Sequence, residues 1–299
     1  MLVEWGQSPQ PLLDPEPLLY WAKEREALRR RKEAGEPLPW TEDPVLQRYR
    51  FCNVRRQDDR VSRWLRANVL PFWGIPTPDG LKFTALCRYV NWPPTLRDLM
   101  QQTWFGTPLD WPQIGQFLDY RCHFEKTWTG AYMVRAERKA LGQSKGTLVA
   151  EVAVHRELSK AMPELMAAIA TKRRQEVHRV LSGCYSWGSF MAGQVVDDWG
   201  WTPILEDAVD VYEWAPIGPG SRRGLNRLLG RPLSKAFGEQ EFCAHVRQLR
   251  TNLIEALGSE YVSLTLMDVQ NCLCETDKWL RARLNEGRPR TVYKPEEAY

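Results

Sequence analysis

Apolar residues recur at helical spacing in much of this chain, most clearly in the segment 264–284. At about 100° per residue, one side of this helix is apolar and four polar side chains lie opposite. The apolar set is Leu266, Val269, Leu273, Leu280 and Leu284. The polar set is Asp268, Asn271, Glu275 and Lys278. Such a polar row is either the solvated side of an amphipathic helix or a set of functional groups.

Asp277 departs from this pattern, because the same spacing places it at the edge of the apolar side. An ionised carboxylate is costly there unless it is paired or hydrogen-bonded. Arg281 follows one helical turn later and can supply the partner.

The rest of the pattern predicts a mainly α fold. A helix is expected after Asp14, ending at Gly35, and a second one with Asp43 as N-cap and Pro44 as its first residue. With 299 residues, of which 43% are hydrophobic, the chain can bury a large core. We predict one helical catalytic domain over residues 1–299, with two packed lobes meeting near residue 145 as the alternative.

Composition narrows the function classes. The net charge is +4, and the basic residues cluster in local patches. The seven cysteines and four histidines show no metal-ligand spacing, so we predict reduced thiols and no metal site. No apolar run is long enough for a membrane span, and no Walker A motif occurs. The 14 tryptophans suit base stacking, but we favour a role in the core.

Two basic segments are candidate phosphate sites. In the first, Arg55, Arg56 and Arg60 alternate with aspartates, among them Asp59, as in bidentate phosphate recognition. The alternatives are arginine–aspartate pairs that brace two helices, or an aspartate that caps the next helix.

In the second segment, the turn Gly218-Pro219-Gly220 precedes Ser221, Arg222 and Arg223. A helix N-terminus with two arginines favours an anion. The alternative is a plain turn capped by Ser221.

A third short segment contains Gly130, Ala131 and Tyr132. The two small residues let backbone approach a ligand, while the tyrosine supplies a ring and a hydroxyl. A tight turn entering a short strand explains the same residues.

Four strings, in this order, resemble signatures of one family. Residues 50–61 are similar to RFxNVxRxxDRV, 129–133 to TGAYM, 218–225 to GPGxRRGL and 268–278 to DVxxxLCExDK. The family is that of the bacteriophage α-glutamyl/putrescinyl thymine pyrophosphorylases, or amino acid:DNA transferases. It shares a helical domain with the hydroxymethyluracil DNA kinases.

This resemblance implies a mainly α, helix-hairpin-helix DNA-glycosylase-like fold with few short strands. The implied reaction displaces pyrophosphate from 5-(pyrophosphoryloxymethyl)deoxyuridine in DNA with the amine of a glycine-like amino acid or a polyamine. The partners would be double-stranded phage DNA, the amine donor and a DNA kinase, in the cytoplasm of the infected host cell and away from membranes. The reaction demands no cofactor, and Mg²⁺ is a candidate charge partner of the pyrophosphate product.

For this reaction we assign roles to the candidate residues. Asp268 or Glu275 is the general base or holds the amine, and Asp277 and Lys278 organise the site. Asn53 reads a base edge. The pyrophosphate or phosphate contacts are Arg55, Arg56, Arg60, Ser221, Arg222 and Arg223. The base or substrate pocket comprises Asn53, Asp59, Tyr132 and Asn271.

Two alternatives belong to other classes. A DNA-glycosylase-like enzyme would cleave the base from the sugar and leave an abasic product. A non-catalytic DNA-binding helical module would resemble the domain attached to the kinases, and the missing Walker A motif keeps this alternative open.

Overall fold

The computed structural model describes residues 13–129, 144–289 and 291–293. Helices dominate this part of the chain and it contains no β-strand, so the predicted mainly α class is confirmed. The helix-hairpin-helix assignment stays a prediction. In the described ranges, no helix has the length and apolar character required to cross a bilayer.

Fourteen α-helices lie in the described ranges. They are α1 (Glu16–Glu33), α2 (Pro44–Arg48), α3 (Arg60–Asn68), α4 (Leu70–Trp73), α5 (Pro78–Val90), α6 (Pro93–Met100), α7 (Trp111–Arg121), α8 (Lys145–Thr147), α9 (Glu157–Ala170), α10 (Arg174–Gly183), α11 (Gly188–Trp199), α12 (Pro219–Leu228), α13 (Glu239–Leu257) and α14 (Leu266–Arg283). A π-helical stretch, Leu148–Arg156, joins α8 to α9, and short 3₁₀ turns occupy Arg56–Asp58 and Ser259–Tyr261.

The chain forms two compact units, and each is discontinuous in sequence. Unit 1 comprises residues 13–54 and 217–289, and unit 2 comprises the described residues of 55–216 and 290–299. Residue 145 lies inside unit 2, so the chain does not divide at the position where we placed the lobe boundary. The single-domain assignment stays a prediction.

Unit 1 is built around α14. This helix contacts α1, α2, α12 and α13, and it is buried along almost its whole length. Side chains from the surrounding helices, including Trp21 and Phe242, are fully buried in the same core. The last helix of the unit is therefore its central element.

The expected helix ends in unit 1 are present. Asp43 is the N-cap of α2, and its carboxylate accepts hydrogen bonds from the backbone N–H groups of Val45 and Leu46 at 2.8 and 3.0 Å. Gly35 follows the end of α1 with a φ of +73°, a conformation that glycine adopts without strain.

Unit 2 is built around α5, which is buried from Gly80 to Val90 on every side. It contacts α4, α6, α9, α11 and the π-helical stretch. A helix that is covered all round lies at the centre of a core. Its polar residues must therefore find partners inside the protein.

Arg88 of α5 shows how that requirement is met. Its guanidinium, with the side chain 2% exposed, pairs with Asp198 of α11, and Nε donates to Oδ2 at 2.6 Å. A second buried pair joins Arg56 to Asp197, with 2.9 Å between Nε and Oδ2. These pairs connect α5 and the segment before α3 to α11.

Replacing the buried carboxylate should therefore destabilise unit 2 strongly. We expect Asp198→Asn to lower the free energy of unfolding by about 3–5 kcal/mol, because it leaves the Arg88 guanidinium buried without a counter-charge. Urea unfolding followed by circular dichroism measures this.

Glu164→Gln is the matched control. Glu164 pairs with Arg179, and both side chains are about 60% exposed. Removing this pair should change the free energy of unfolding by about 1 kcal/mol or less. Equal effects of the two substitutions would contradict the role given to the buried pair.

Candidate functional site

The N-terminus of α14 is held by a reciprocal cap. The Thr265 hydroxyl accepts from the backbone N–H of Asp268 at 3.1 Å, and Asp268 Oδ2 accepts from the N–H and hydroxyl of Thr265 at 2.9 and 2.8 Å. This capping box gives Asp268 a structural role. Its carboxylate is thereby less suited to act as a general base.

The polar row of α14 is buried rather than solvated. Asp268, Asn271 and Glu275 are 8%, 9% and 6% exposed. Burial of three polar side chains in a row costs free energy unless each has a partner. The row is therefore not the solvated side of an amphipathic helix.

Glu275 and Lys278 form an ion pair beside residues 51–52. The distance between Lys278 Nζ and Glu275 Oε2 is 2.6 Å, and Oε2 also accepts the backbone N–H of Cys52 at 2.8 Å. The Lys278 ammonium lies 4.6 Å from the centre of the Phe51 ring. The second oxygen of Glu275, Oε1, has no hydrogen bond to any described residue.

The ion pair also fixes the charge of the lysine. Burial alone would lower the pKa of Lys278, but the Glu275 carboxylate outweighs it and the net shift is upward. Lys278 therefore stays protonated at neutral pH. It can hold an anionic group but cannot take a proton.

Asn271 lies on the same side of the helix, between Asp268 and Glu275. Its amide nitrogen, Nδ2, is buried and donates to no described residue. A buried donor without an acceptor costs about 1–3 kcal/mol. An unsatisfied buried group of this kind is explained by a functional role or by a water or ligand that supplies the acceptor, so Asn271 is a candidate for substrate contact.

Asp277 belongs to a different cluster. It is two residues from Glu275, which is about 200° of rotation on a helix, so the two carboxylates point to opposite sides. Asp277 is 0% exposed and pairs with Arg223 at 2.9 Å, Arg227 at 3.0 Å and Arg281 at 3.3 Å. The structure does not bring Asp277 together with Glu275 and Lys278.

The side of α14 that carries Asp277 packs closely on α12. A Cβ on Gly220 would lie 2.2 Å from Cys274 Sγ, and one on Gly224 would lie 2.2 Å from the carbonyl oxygen of Leu273. Only glycine permits this approach. The glycines that suggested an open phosphate turn thus serve helix packing.

Ser221 takes part in the same packing. It is fully buried at the third position of α12 rather than at the N-cap. Its hydroxyl accepts from the N–H of Gly218 at 3.1 Å and from Nε2 of Gln270 at 3.0 Å, and it donates to the Gly218 carbonyl. We therefore assign Ser221 a capping role and not a phosphate contact.

Arginines around Asp277 nevertheless leave positive charge in excess. Arg223 and Arg281 keep 31% and 35% of their side chains exposed, and Arg227 also pairs with Glu286. The side chain of the neighbouring Arg222 makes no hydrogen bond or ion pair with the described residues. Three guanidiniums, those of Arg223, Arg227 and Arg281, thus face the two carboxylates of Asp277 and Glu286, which suits an anion.

The structure places the first arginine segment in unit 2. Arg56 is 4% exposed and pairs with Asp197, so it braces the fold, as the alternative interpretation predicted. Arg55 pairs with Asp58 at 3.0 Å and stays partly exposed. Asp59 is the N-cap residue of α3, and Arg60 is its first residue.

The remaining candidates are Asn53 and Tyr132. Asn53 is buried in unit 1, in the extended segment that follows α2. That segment is bound on one side by Arg25, whose Nε donates to the Cys52 carbonyl at 3.0 Å, and on the other by α14. Tyr132 and the rest of its short segment lie outside the described residues.

The described ranges hold neither a grouped set of metal ligands nor an activated thiol. They contain no group of three acidic, histidine or cysteine side chains that could hold a metal ion. Burial, with help from the Glu275 carboxylate, raises the pKa of the Cys274 thiol to about 11. Cys274 is therefore protonated at neutral pH and is a poor nucleophile.

Sequence reasoning missed four residues of these clusters. Arg227 repeats the charge of Arg223 one turn later, and this i,i+4 spacing was a usable signal. Phe51, Cys52 and Arg25 gave no such signal, because their contacts to α14 or to the extended segment depend on tertiary packing.

Comparison with known proteins identifies one family. The family model described as 5-hmdU DNA kinase, helical domain, matches residues 16–288, which is more than nine-tenths of the chain. No curated protein and no solved structure matches the chain. The relation to hydroxymethyluracil DNA kinases that the motifs implied is thus confirmed for the helical domain.

The packing of α12 on α14 can be tested with one methyl group. Gly224→Ala should lower the melting temperature, with a loss of about 1–3 kcal/mol, because the new Cβ would meet the Leu273 backbone. Gly183→Ala, where a Cβ would meet no atom within 4 Å, should leave stability equal or raise it by about 1 kcal/mol. Differential scanning calorimetry of both variants measures this, and an unchanged Gly224→Ala protein would refute the close contact.

Proposed function

Because this chain belongs to the family of 5-hmdU DNA kinase helical domains, we propose that it acts on DNA carrying a modified 5-hydroxymethyluracil. The proposed reaction transfers the amine of an amino acid or polyamine to the base and releases pyrophosphate. A DNA kinase that installs the pyrophosphate would act before it.

One observation carries this proposal: the polar row of α14 has hydrogen-bonding capacity that the described protein does not use. Asn271 Nδ2 is buried and has no acceptor among the described residues, and Glu275 Oε1 accepts no hydrogen bond from them. A flipped pyrimidine offers carbonyl oxygens to the amide, and an ammonium donor offers N–H groups to the carboxylate. The row is therefore complementary to both proposed reactants.

With these groups, the proposed transfer balances in atoms, protons and electrons. Glu275 takes one proton from the donor ammonium, R–NH₃⁺, and frees its lone pair. The lone pair forms a bond to the methylene carbon on C5, and the carbon–oxygen bond breaks with its electrons going to pyrophosphate. The secondary ammonium then loses a proton to solvent, which leaves a carbon–nitrogen bond on the base.

Arginines would meet the negative charge of the reactants. Arg222 and Arg223 are proposed to bind the pyrophosphate group or a DNA phosphate, and Arg55 and Arg60 remain proposed phosphate contacts. Lys278, held protonated by Glu275, would add a further positive charge. Mg²⁺ arriving with the pyrophosphate group is an additional proposed charge partner.

A second candidate follows from the family description itself. The matched family is a domain of a kinase, and the sequence lacks a Walker A motif. A non-catalytic DNA-binding module would share this fold, and the bracing roles of Arg56, Ser221 and Asp277 are compatible with it.

Nucleoside mass spectrometry separates the candidates. The purified protein is incubated with hydroxymethyluracil DNA, a DNA kinase for that base, ATP and a mixture of amino acids and polyamines. An amine adduct of the nucleoside supports the transferase. Free base or abasic sites would instead indicate a glycosylase, and bound but unchanged DNA would indicate the binding module.

The assignment of Glu275 as the general base predicts the effect of a single substitution on the transfer activity. Glu275→Gln should reduce transfer by about 10²–10⁴-fold, because the amide cannot accept the ammonium proton. Its affinity for the modified DNA should change little, which a binding assay on the same preparation checks. Glu255→Gln, at an exposed residue of α13, is the control and should keep full activity.

Asp268→Asn tests the other assignment. Because Asp268 caps α14, this variant should lose stability and keep most of its transfer activity below its melting temperature. Full transfer by Glu275→Gln together with loss in Asp268→Asn would reverse the two roles.

A further inference from the structure

Unit 1 contains an open cavity of about 570 Å³ at the C-terminal end of α14. Its lining comes from α1, from α2 with the residues before it, and from the end of α14. The lining residues that bear charge or a ring are Tyr20, Glu24, Arg31, Glu42, Asp43 and Arg283. This volume lies in the range of small-molecule sites.

The carboxylates in the cavity differ in their hydrogen-bond partners. Asp43 is buried and engaged with the N–H groups of α2 and with the Trp279 indole at 3.0 Å. Glu24 accepts only the Thr41 hydroxyl, at 2.8 Å, among the described residues. Glu42 is exposed and has no hydrogen bond or ion pair with them. Two carboxylates thus face the cavity without a cation.

An aromatic ring lies beside these charges. The rings of Tyr20 and Trp279 are in a tilted contact with centres 5.2 Å apart, and the Tyr20 hydroxyl donates to Asp43 at 3.3 Å. Burial, together with the Asp43 and Glu24 carboxylates, raises the pKa of Tyr20. A ring next to carboxylates is a favourable environment for an organic ammonium group.

The cavity also contains guanidinium groups. Arg283 lies over the Tyr20 and Trp279 rings and 3.8 Å from Asp43. Arg31 donates to the Trp40 carbonyl at 2.7 Å and pairs with no described carboxylate. A ligand with a carboxylate in addition to its ammonium could therefore use Arg31.

We propose that this cavity binds small aliphatic amines, with the ammonium group held by Glu24 and Glu42 next to the Tyr20 ring. Amino acids and polyamines share this ammonium chemistry. The binding claim is independent of the reaction. The role of the cavity as the donor site, from which the amine moves to Glu275 to lose its proton, rests on the proposed transferase function.

The position of the cavity fits that role. Trp279, which donates to Asp43 and lies against the Tyr20 ring, follows Glu275 by one helical turn. Arg283, the residue of α14 that lines the cavity, follows Glu275 by two turns, about 12 Å along the helix axis. The general base and the wall of the cavity are thus parts of one rigid helix.

Binding is tested with the full chain and without DNA. Putrescine and glycine are titrated by saturation-transfer difference NMR, with 1,4-butanediol as the isostere that lacks ammonium groups. We expect saturable binding of putrescine and none of the diol, and binding of glycine would indicate that Arg31 takes a carboxylate. Absence of binding by both amines, or equal binding of the diol, would overturn the proposal.

The double variant Glu24→Gln and Glu42→Gln locates the site. It should weaken putrescine binding by roughly tenfold or more, since charge-assisted hydrogen bonds are lost, while Glu255→Gln should bind normally. An unchanged dissociation constant in the double variant would place the amine elsewhere.

The transfer assay then distinguishes amine binding in the cavity from the role of the cavity as the donor site. If the double variant binds poorly and its KM for the amine rises without a matching fall in kcat, the cavity is the donor site. If amines bind here but no DNA adduct ever forms, the proposed function fails and the binding claim stands. If transfer occurs with an unchanged KM in the double variant, the donor role fails alone.

Discussion

Burial of charge on both sides of α14 is the constraint on which unit 1 depends. A buried carboxylate is tolerated only with close, well-placed partners. Asp277 obtains them from three arginines, of which Arg223 and Arg227 lie on α12. Glu275 obtains them from Lys278 and from the backbone of Cys52. The helix can therefore be stably placed only when two distant segments of the chain, 51–54 and 219–228, pack against it.

Because of this constraint, the two sides of α14 carry different functional groups. The α12 side carries an excess of guanidinium groups and suits phosphate. The opposite side carries an amide and a carboxylate with unused hydrogen-bonding capacity, and the cavity proposed to bind amines is lined by Arg283, about two turns farther along the same helix. In the transferase proposal, the pyrophosphate leaving group, the pyrimidine base and the donor amine each contact a different part of one buried helix. A rigid helix is well suited to hold reacting groups in fixed geometry.

The sequence predicted the features that depend on local spacing. The helical class, the cap at Asp43, the end of α1 near Gly35 and the pairing of Asp277 with Arg281 follow from residues within a few turns of one another, and all are present. Burial of the polar row could not be predicted, because it depends on segment 51–54, more than 200 residues earlier in the chain.

The glycine turn shows why a motif can mislead. Gly218-Pro219-Gly220 followed by Ser221 matches an anion-binding turn in sequence, but the same small residues also allow close helix packing, and the structure uses them for packing. The single residue Arg56 was similarly ambiguous between phosphate binding and bracing. In both cases one local sequence is compatible with two roles, and only the residues that pack against it in the folded protein distinguish them.

The transferase assignment is tested most directly by the stoichiometry of pyrophosphate release and amine incorporation. Pyrophosphorylated hydroxymethyluracil DNA is incubated with the protein and a ¹⁵N-labelled amine, and pyrophosphate release is compared with ¹⁵N incorporated into nucleosides. The account predicts equal amounts of the two and no pyrophosphate release without the amine. Pyrophosphate released without incorporation, or DNA left unchanged by a protein that binds it, would contradict the transferase assignment.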